Sequence, residues 1–131
     1  MNVLPGTIRE IQTHGNLTLV RIGVSDITFT SIVIETPATA TYLKPGTEVQ
    51  VMFKETEVII AKTSQDISLQ NRIPVRITEI TKGQLLSQLL LQFHDYQICS
   101  VITSNAVNQL QLKPGSEVIA LVKTNEVMLA E

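Results

Sequence analysis

Tryptophan is absent from this chain of 131 residues, aromatic residues make up 4% of it, and there is a single cysteine. With so few rings, a core has to be packed from Val, Ile and Leu, which the 44% hydrophobic content supplies. A lone Cys99 excludes an internal disulfide and a cysteine-built zinc site, and it suits a reducing compartment. No apolar run approaches the roughly 20 residues that span a bilayer, so no membrane association is expected. The opening stretch MNVLPGTIRE has neither the basic n-region nor the long apolar h-region of a secretory signal, and the expected location is cytoplasmic. Charge of one sign is lacking too. The net charge is −2 with acids and bases interspersed, whereas a nucleic-acid surface needs a basic stripe.

Catalytic patterns are equally sparse. There is no phosphate loop, zinc motif or Gly-rich dinucleotide turn, and no carboxylate pair at a spacing that would bring the two together. His14 and His94 fall in turns and read as solvated loop residues, and Cys99 reads as a buried, inert thiol in an apolar strand. An enzyme is not expected.

What is present is a repeat. Lys44-Pro45-Gly46-Thr47-Glu48-Val49 recurs as Lys113-Pro114-Gly115-Ser116-Glu117-Val118, an offset of 69 residues. At the same offset Lys54 meets Lys123, Glu57-Val58 meets Glu126-Val127, Ser31 meets Ser100, Asp26 meets Asp95, and Asn2 meets Asn71. The matches run gap-free from end to end. They divide the chain into a first module, residues 1–62, a polar linker, 63–70, and a second module, 71–131.

Each module reads as five strands and a short helix. In the second, Ile73, Val75 and Ile77 alternate with polar neighbours, the period of a half-buried strand. Leu85–Phe93 and the β-branched stretch Tyr96–Thr103 follow as strands. Asn105 is placed to cap a helix running to Leu110. Pro114-Gly115 is type II turn chemistry, because Pro presets φ and Gly accepts positive φ. Glu117–Val122 and Val127–Ala130 then read as a hairpin across 123–126. The first module repeats this plan, with strands near Val3–Ile11, Leu17–Val24, Ile27–Ile34, Glu48–Phe53 and Glu57–Ala61, and Pro37 in the first turn of its helix. The fold class is all-β: two tandem OB-like five-stranded Greek-key barrels, each with one short helix. A module of about 60 residues buries only about 60% of its unfolded surface, which favours fusion and further subunit contacts.

One constellation suggests binding. Ile67–Arg72 is rich in small donors just before a strand. Ile102-Thr103-Ser104-Asn105 sets hydroxyls beside the free N–H groups of a helix start, and Lys123-Thr124-Asn125 adds a cation. Together they make a reasonable oxyanion receptor. The same residues also read as ordinary turn and cap residues with one solvated lysine, and composition by itself favours that plainer reading.

The motifs Ser68–Asn71 (S-x-x-N leading into a strand), Ser100–Thr103 (S-V-I-T), Leu112–Val118 (L-K-P-G-x-E-V) and Ala120–Leu129 (A-L-V-K-x-x-x-V-M-L) resemble those of the Mop, or TOBE-type, molybdate-binding domain. The resemblance covers essentially the whole chain. It implies a cytoplasmic protein of the molbindin kind that binds molybdate or tungstate for storage, homeostasis or sensing, without an organic cofactor and without direct protein ligands to the metal. It also implies a homo-oligomer, a trimer or dimer of two-module chains, with sites shared between chains and no contact with nucleic acid. The oxyanion-binding set it implies is Ser68, Gln70, Asn71, Thr103, Ser104, Lys123 and Thr124. Gln70 stands where the family's S-A-R-N motif has arginine, and Ala106 where a serine is common. Arg72 is close by in sequence, but strand alternation points it elsewhere. The first module is a poorer receptor, with nothing opposite Ser68, Glu35 in its junction and Glu55 after Lys54. The alternative is a structural or regulatory oligomerisation module, such as the C-terminal di-domain of a molybdate-transport ATPase or of a molybdate-responsive regulator.

Overall fold

A computed structural model describes residues 1–63 and 66–131 of the chain, so two residues of the expected linker, 64 and 65, lie outside the described residues. The strands are β1 (Asn2–His14), β2 (Leu17–Val24), β3 (Ile27–Val33), β4 (Glu48–Phe53), β5 (Ile59–Ala61), β6 (Asn71–Lys82), β7 (Leu86–Phe93), β8 (Tyr96–Thr103), β9 (Glu117–Val122) and β10 (Met128–Ala130). The helix α1 covers Ser104–Gln109. Two five-stranded sheets result, ordered β10-β4-β1-β2-β3 and β5-β9-β6-β7-β8.

The all-β class and the two five-strand barrels are as the sequence implies, but the last strands are exchanged. The sequence suggests that β9 and β10 form a hairpin. Instead Met128–Ala130 pairs with Met52–Gln50 of the first module, and Ile59–Ala61 pairs with Leu121–Ile119 of the second. The intervening residues Glu55–Glu57 and Thr124–Glu126 form single 3₁₀ turns that carry the chain across. A hairpin demands a chain reversal, and an extended exit from a 3₁₀ turn leads away from the parent strand.

Four side chains fasten the exchange, in two pairs that superpose under the repeat. Ser31 Oγ donates to Val127 O at 2.7 Å, and Ser100 Oγ donates to Val58 O at 3.1 Å. Asn71 holds the backbone of Thr30, and Asn2 holds that of Cys99. The serines close each barrel along the seam between its third strand and the visiting strand. All four side chains are buried. The bonds of Asn71 to Thr30 are buried throughout, where loss of a partner is costly, whereas those of Asn2 to Cys99 are only partly buried.

Both first strands are long enough to bend round their barrels because each carries a bulge, between Ile8 and Glu10 in β1 and between Ile77 and Glu79 in β6. The Pro-Gly turns dock on those bulges. Gly46 N–H donates to Ile8 O at 2.8 Å and Gly115 N–H to Ile77 O at 2.7 Å. Their φ values of 93° and 94° are in the region the type II turn reserves for glycine. The cores are aliphatic apart from three phenylalanines, with Phe29 and Phe53 stacked 5.9 Å apart in the first.

One expected element is missing. The segment after β3 in the first module is a run of turns, whereas the second module has α1 at that place. In the second, Thr103 caps the helix by accepting from Ala106 N–H at 3.1 Å, so Thr103 takes the role expected of Asn105. In the first module Ile34 stands where that threonine would be, and a hydrocarbon cannot satisfy an orphan N–H. Among the described residues no helix is long and apolar enough to cross a membrane.

Candidate functional site

The lead-in segment before β6 and the turn after β9 meet at one end of the second barrel. β6 and β9 are antiparallel with Asn71 opposite Val122, so the next step of the register sets Gln70 beside Lys123. Ser68, Gln70 and Lys123 are exposed and Thr124 is half-buried. Among the described residues no hydrogen bond or ion pair engages any of these four side chains. Together they present an amide, two hydroxyls and one full positive charge to solvent.

The remaining expected residues are placed differently. Asn71 is buried, and its amide is committed to the backbone of Thr30. Ser104 is buried as well. Its hydroxyl donates to Gly83 O at 2.6 Å and shares a bond of 2.8 Å with Ser87, which leaves no donor for a ligand. Thr103 is exposed at the end of β8. Its oxygen accepts the helix cap, while its own hydrogen remains available. It lies opposite Leu86, and β7 in turn sets Ser87 opposite Lys82. Thr103 therefore belongs to the Lys82 end of β6, with Lys123 at the Asn71 end. Twelve residues of strand separate those ends, about 35–40 Å along the chain at roughly 3.3 Å per residue. Within one chain the register sets Gln70 beside Lys123, with Ser68 and Thr124 on the same two segments, and leaves Thr103 apart. Sequence spacing carries no information on this, because it does not say which end of a barrel a loop occupies.

The first module lacks the same chemistry for an electrostatic reason. At the position of Thr124 it has Glu55, which pairs with the amino group of Met1, and Glu57 accepts the Lys54 backbone N–H at 2.9 Å. The contact with the amino group holds the Glu55 carboxyl below the usual carboxylate range. Lys54 therefore stands beside a fixed carboxylate, whereas Lys123 is followed by a neutral hydroxyl. In the first junction Glu35 accepts the Tyr42 hydroxyl at 2.8 Å, and burial together with that bond pushes the phenol up to about 12.

Two open clefts, of about 560 and 580 Å³, lie on the outer face of the second barrel near Lys62, Arg76, Lys113 and Glu117, and none of the seven expected residues lines either. The candidate site is thus a surface constellation of donors. Among the described residues no three His, Cys, Asp or Glu side chains gather as metal ligands. His94, expected to be solvated, is half-exposed and bonds Asp26 of the first module at 2.8 Å, which lowers the Asp26 carboxyl pKa. Cys99, expected to be buried, is half-buried, with its sulfur 3.0 Å from Gln88 Nε2. Arg72 is the residue the sequence undervalued. It does not project away from the segment but turns back to donate to Leu69 O at 2.9 Å and Ile67 O at 2.8 Å.

The TOBE domain matches residues 1–60 and again 67–129. The fold superposes on a crystal structure of the cytoplasmic molybdate-binding protein ModG with molybdate bound. The TM-score is 0.91 at 25% identity, covering 98% of this chain and 94% of that one. The molybdenum-pterin-binding proteins MopB and MopA of Rhodobacter capsulatus are 31% and 29% identical, over 77% and 98% of this chain. The matches cover 38% and 50% of those two proteins, so the chain spans half or less of their length.

Proposed function

This chain belongs to the TOBE domain family, and on that premise we propose that it binds molybdate or tungstate in the cytoplasm, holding the oxyanion without transforming it. The observation that carries this reading is the cluster of Lys123 with the unengaged donors of Ser68, Gln70 and Thr124 at the Asn71 end of β6. A tetrahedral dianion leaving water needs a positive charge and several short donors, and charge-assisted bonds are the strong ones. The likeness to ModG, crystallised with molybdate, supports the choice of anion.

One chain supplies a shallow half-site, with Thr103 remote from Lys123. We propose that a second chain brings its Thr103 junction to the first chain's Lys123 corner, in a trimer or dimer of two-module chains. Such sharing would bury the anion, which an open surface cannot do.

Isothermal titration with molybdate, tungstate and sulfate tests the reading. Molybdate and tungstate, alike in charge and nearly in size, are expected to bind, and the smaller sulfate to bind far more weakly. Equal affinity for sulfate would reduce the site to a generic anion trap, and the absence of heat with all three would overturn the function. Light scattering showing a stable monomer with ligand present would overturn the shared site alone.

A further inference from the structure

Among the described residues, the segment that carries Ser68 and Gln70 pairs with no strand before Asn71, yet it is held at two points. One is Asn71, whose buried amide is bonded to Thr30 at 2.6 and 2.9 Å. The other is the guanidinium of Arg72, which grips the carbonyls of Leu69 and Ile67 from a single planar fork. Between these anchors the side chains of Ser68 and Gln70 are exposed and unengaged. We propose that Arg72 is a positioning residue for the oxyanion site, holding residues 67–70 in the anion-receiving conformation before the ligand arrives. This rests on the binding function proposed above.

The physical case is preorganisation. A loop donor that must be ordered by its ligand loses backbone entropy on binding, and a donor already fixed does not. An arginine is suited to this because its donors lie in a rigid plane and reach two acceptors at once, whereas a lysine offers a single flexible point. The repeat sharpens the assignment. Asn2 makes the same lock as Asn71, but the residue after it is Val3, which has no donor to grip anything. The clasp therefore belongs to the module that also has Thr124 in place of Glu55. It works on carbonyls, so it orients the neighbouring N–H groups without itself contacting the anion.

The test uses the full chain with Arg72→Lys and Arg72→Gln, read by molybdate titration, thermal melting and hydrogen exchange of the ligand-free peptide spanning residues 66–70. Both variants are expected to lose about tenfold in molybdate affinity, to melt close to wild type, and to exchange faster in that peptide. Wild-type affinity in both would overturn the positioning role. So would full affinity in Arg72→Lys with loss in Arg72→Gln, which would make the residue a source of charge. A wild-type chain that bound no molybdate would overturn the binding function and this role with it, whereas binding that both variants retained would overturn this role alone.

Discussion

Asn71 takes both backbone groups of Thr30, accepting from its N–H at 2.6 Å and donating to its carbonyl at 2.9 Å, although the two residues belong to different modules. An asparagine amide is the side chain that mimics a peptide group, with one donor and one acceptor at the right spacing. It completes a strand edge that the barrel seam would leave open. The resemblance implies an anion-binding role for this residue, yet the structure uses its amide to join the modules.

Replacing Asn71 with Ala orphans a buried donor and a buried acceptor. At about 1–3 kcal/mol for each unsatisfied group, the loss is on the order of 3 kcal/mol in urea unfolding. Asn2→Ala should cost clearly less, because its partner Cys99 is half-exposed and water can replace the bonds. Equal losses for the two variants would show that the burial difference does not matter.

Lys123→Ala is expected to weaken molybdate binding by about ten- to a hundredfold, since hydrogen bonds to charged groups contribute roughly 1.5–3 kcal/mol. Ser68→Ala should cost less, because water can replace a neutral hydroxyl. Lys54→Ala should be nearly silent, with Glu55 beside it where the second module has Thr124. Loss of binding in Lys54→Ala with retention in Lys123→Ala would place the site in the first module.

The exchanged strands make each half depend on the other. Residues 1–62 and 63–131 produced as separate chains should each lack the strand that closes its barrel, and on mixing should form a one-to-one complex with restored near-ultraviolet dichroism. Two halves that each melted cooperatively as monomers would show that β5 and β10 can return to their own modules.

Tyr42 gives an alkaline signature. Its phenol is raised from 10.0 to about 12 by burial and then by the bond to Glu35. The folded state therefore holds this proton more tightly than the unfolded chain. That contribution to stability is complete below pH 10 and is lost as pH rises from about 10 towards 12. Tyr42→Phe should remove this part of the alkaline decline and leave the neutral region little changed. Superimposable stability curves for the two proteins between pH 9 and 12 would refute it.

The repeat determined much on its own. Alternating Ile73, Val75 and Ile77, the Pro-Gly turns and the gap-free offset fixed strand type, turn geometry and the number of modules, because these depend on neighbours in the chain. The candidate charge was legible as well, since Lys123 followed by Thr124 and Lys54 followed by Glu55 differ in plain view. Only the tertiary structure decided which sheet β5 and β10 join, because three-residue strands carry no local record of their partner and long-range seam bonds such as Ser31 to Val127 settle it. The same is true of the site. Whether Asn71 faces a ligand or Thr30, whether Arg72 leaves its segment or clasps it, and which end of β6 holds Thr103 depend on contacts between residues far apart in sequence, and no local pattern encodes them.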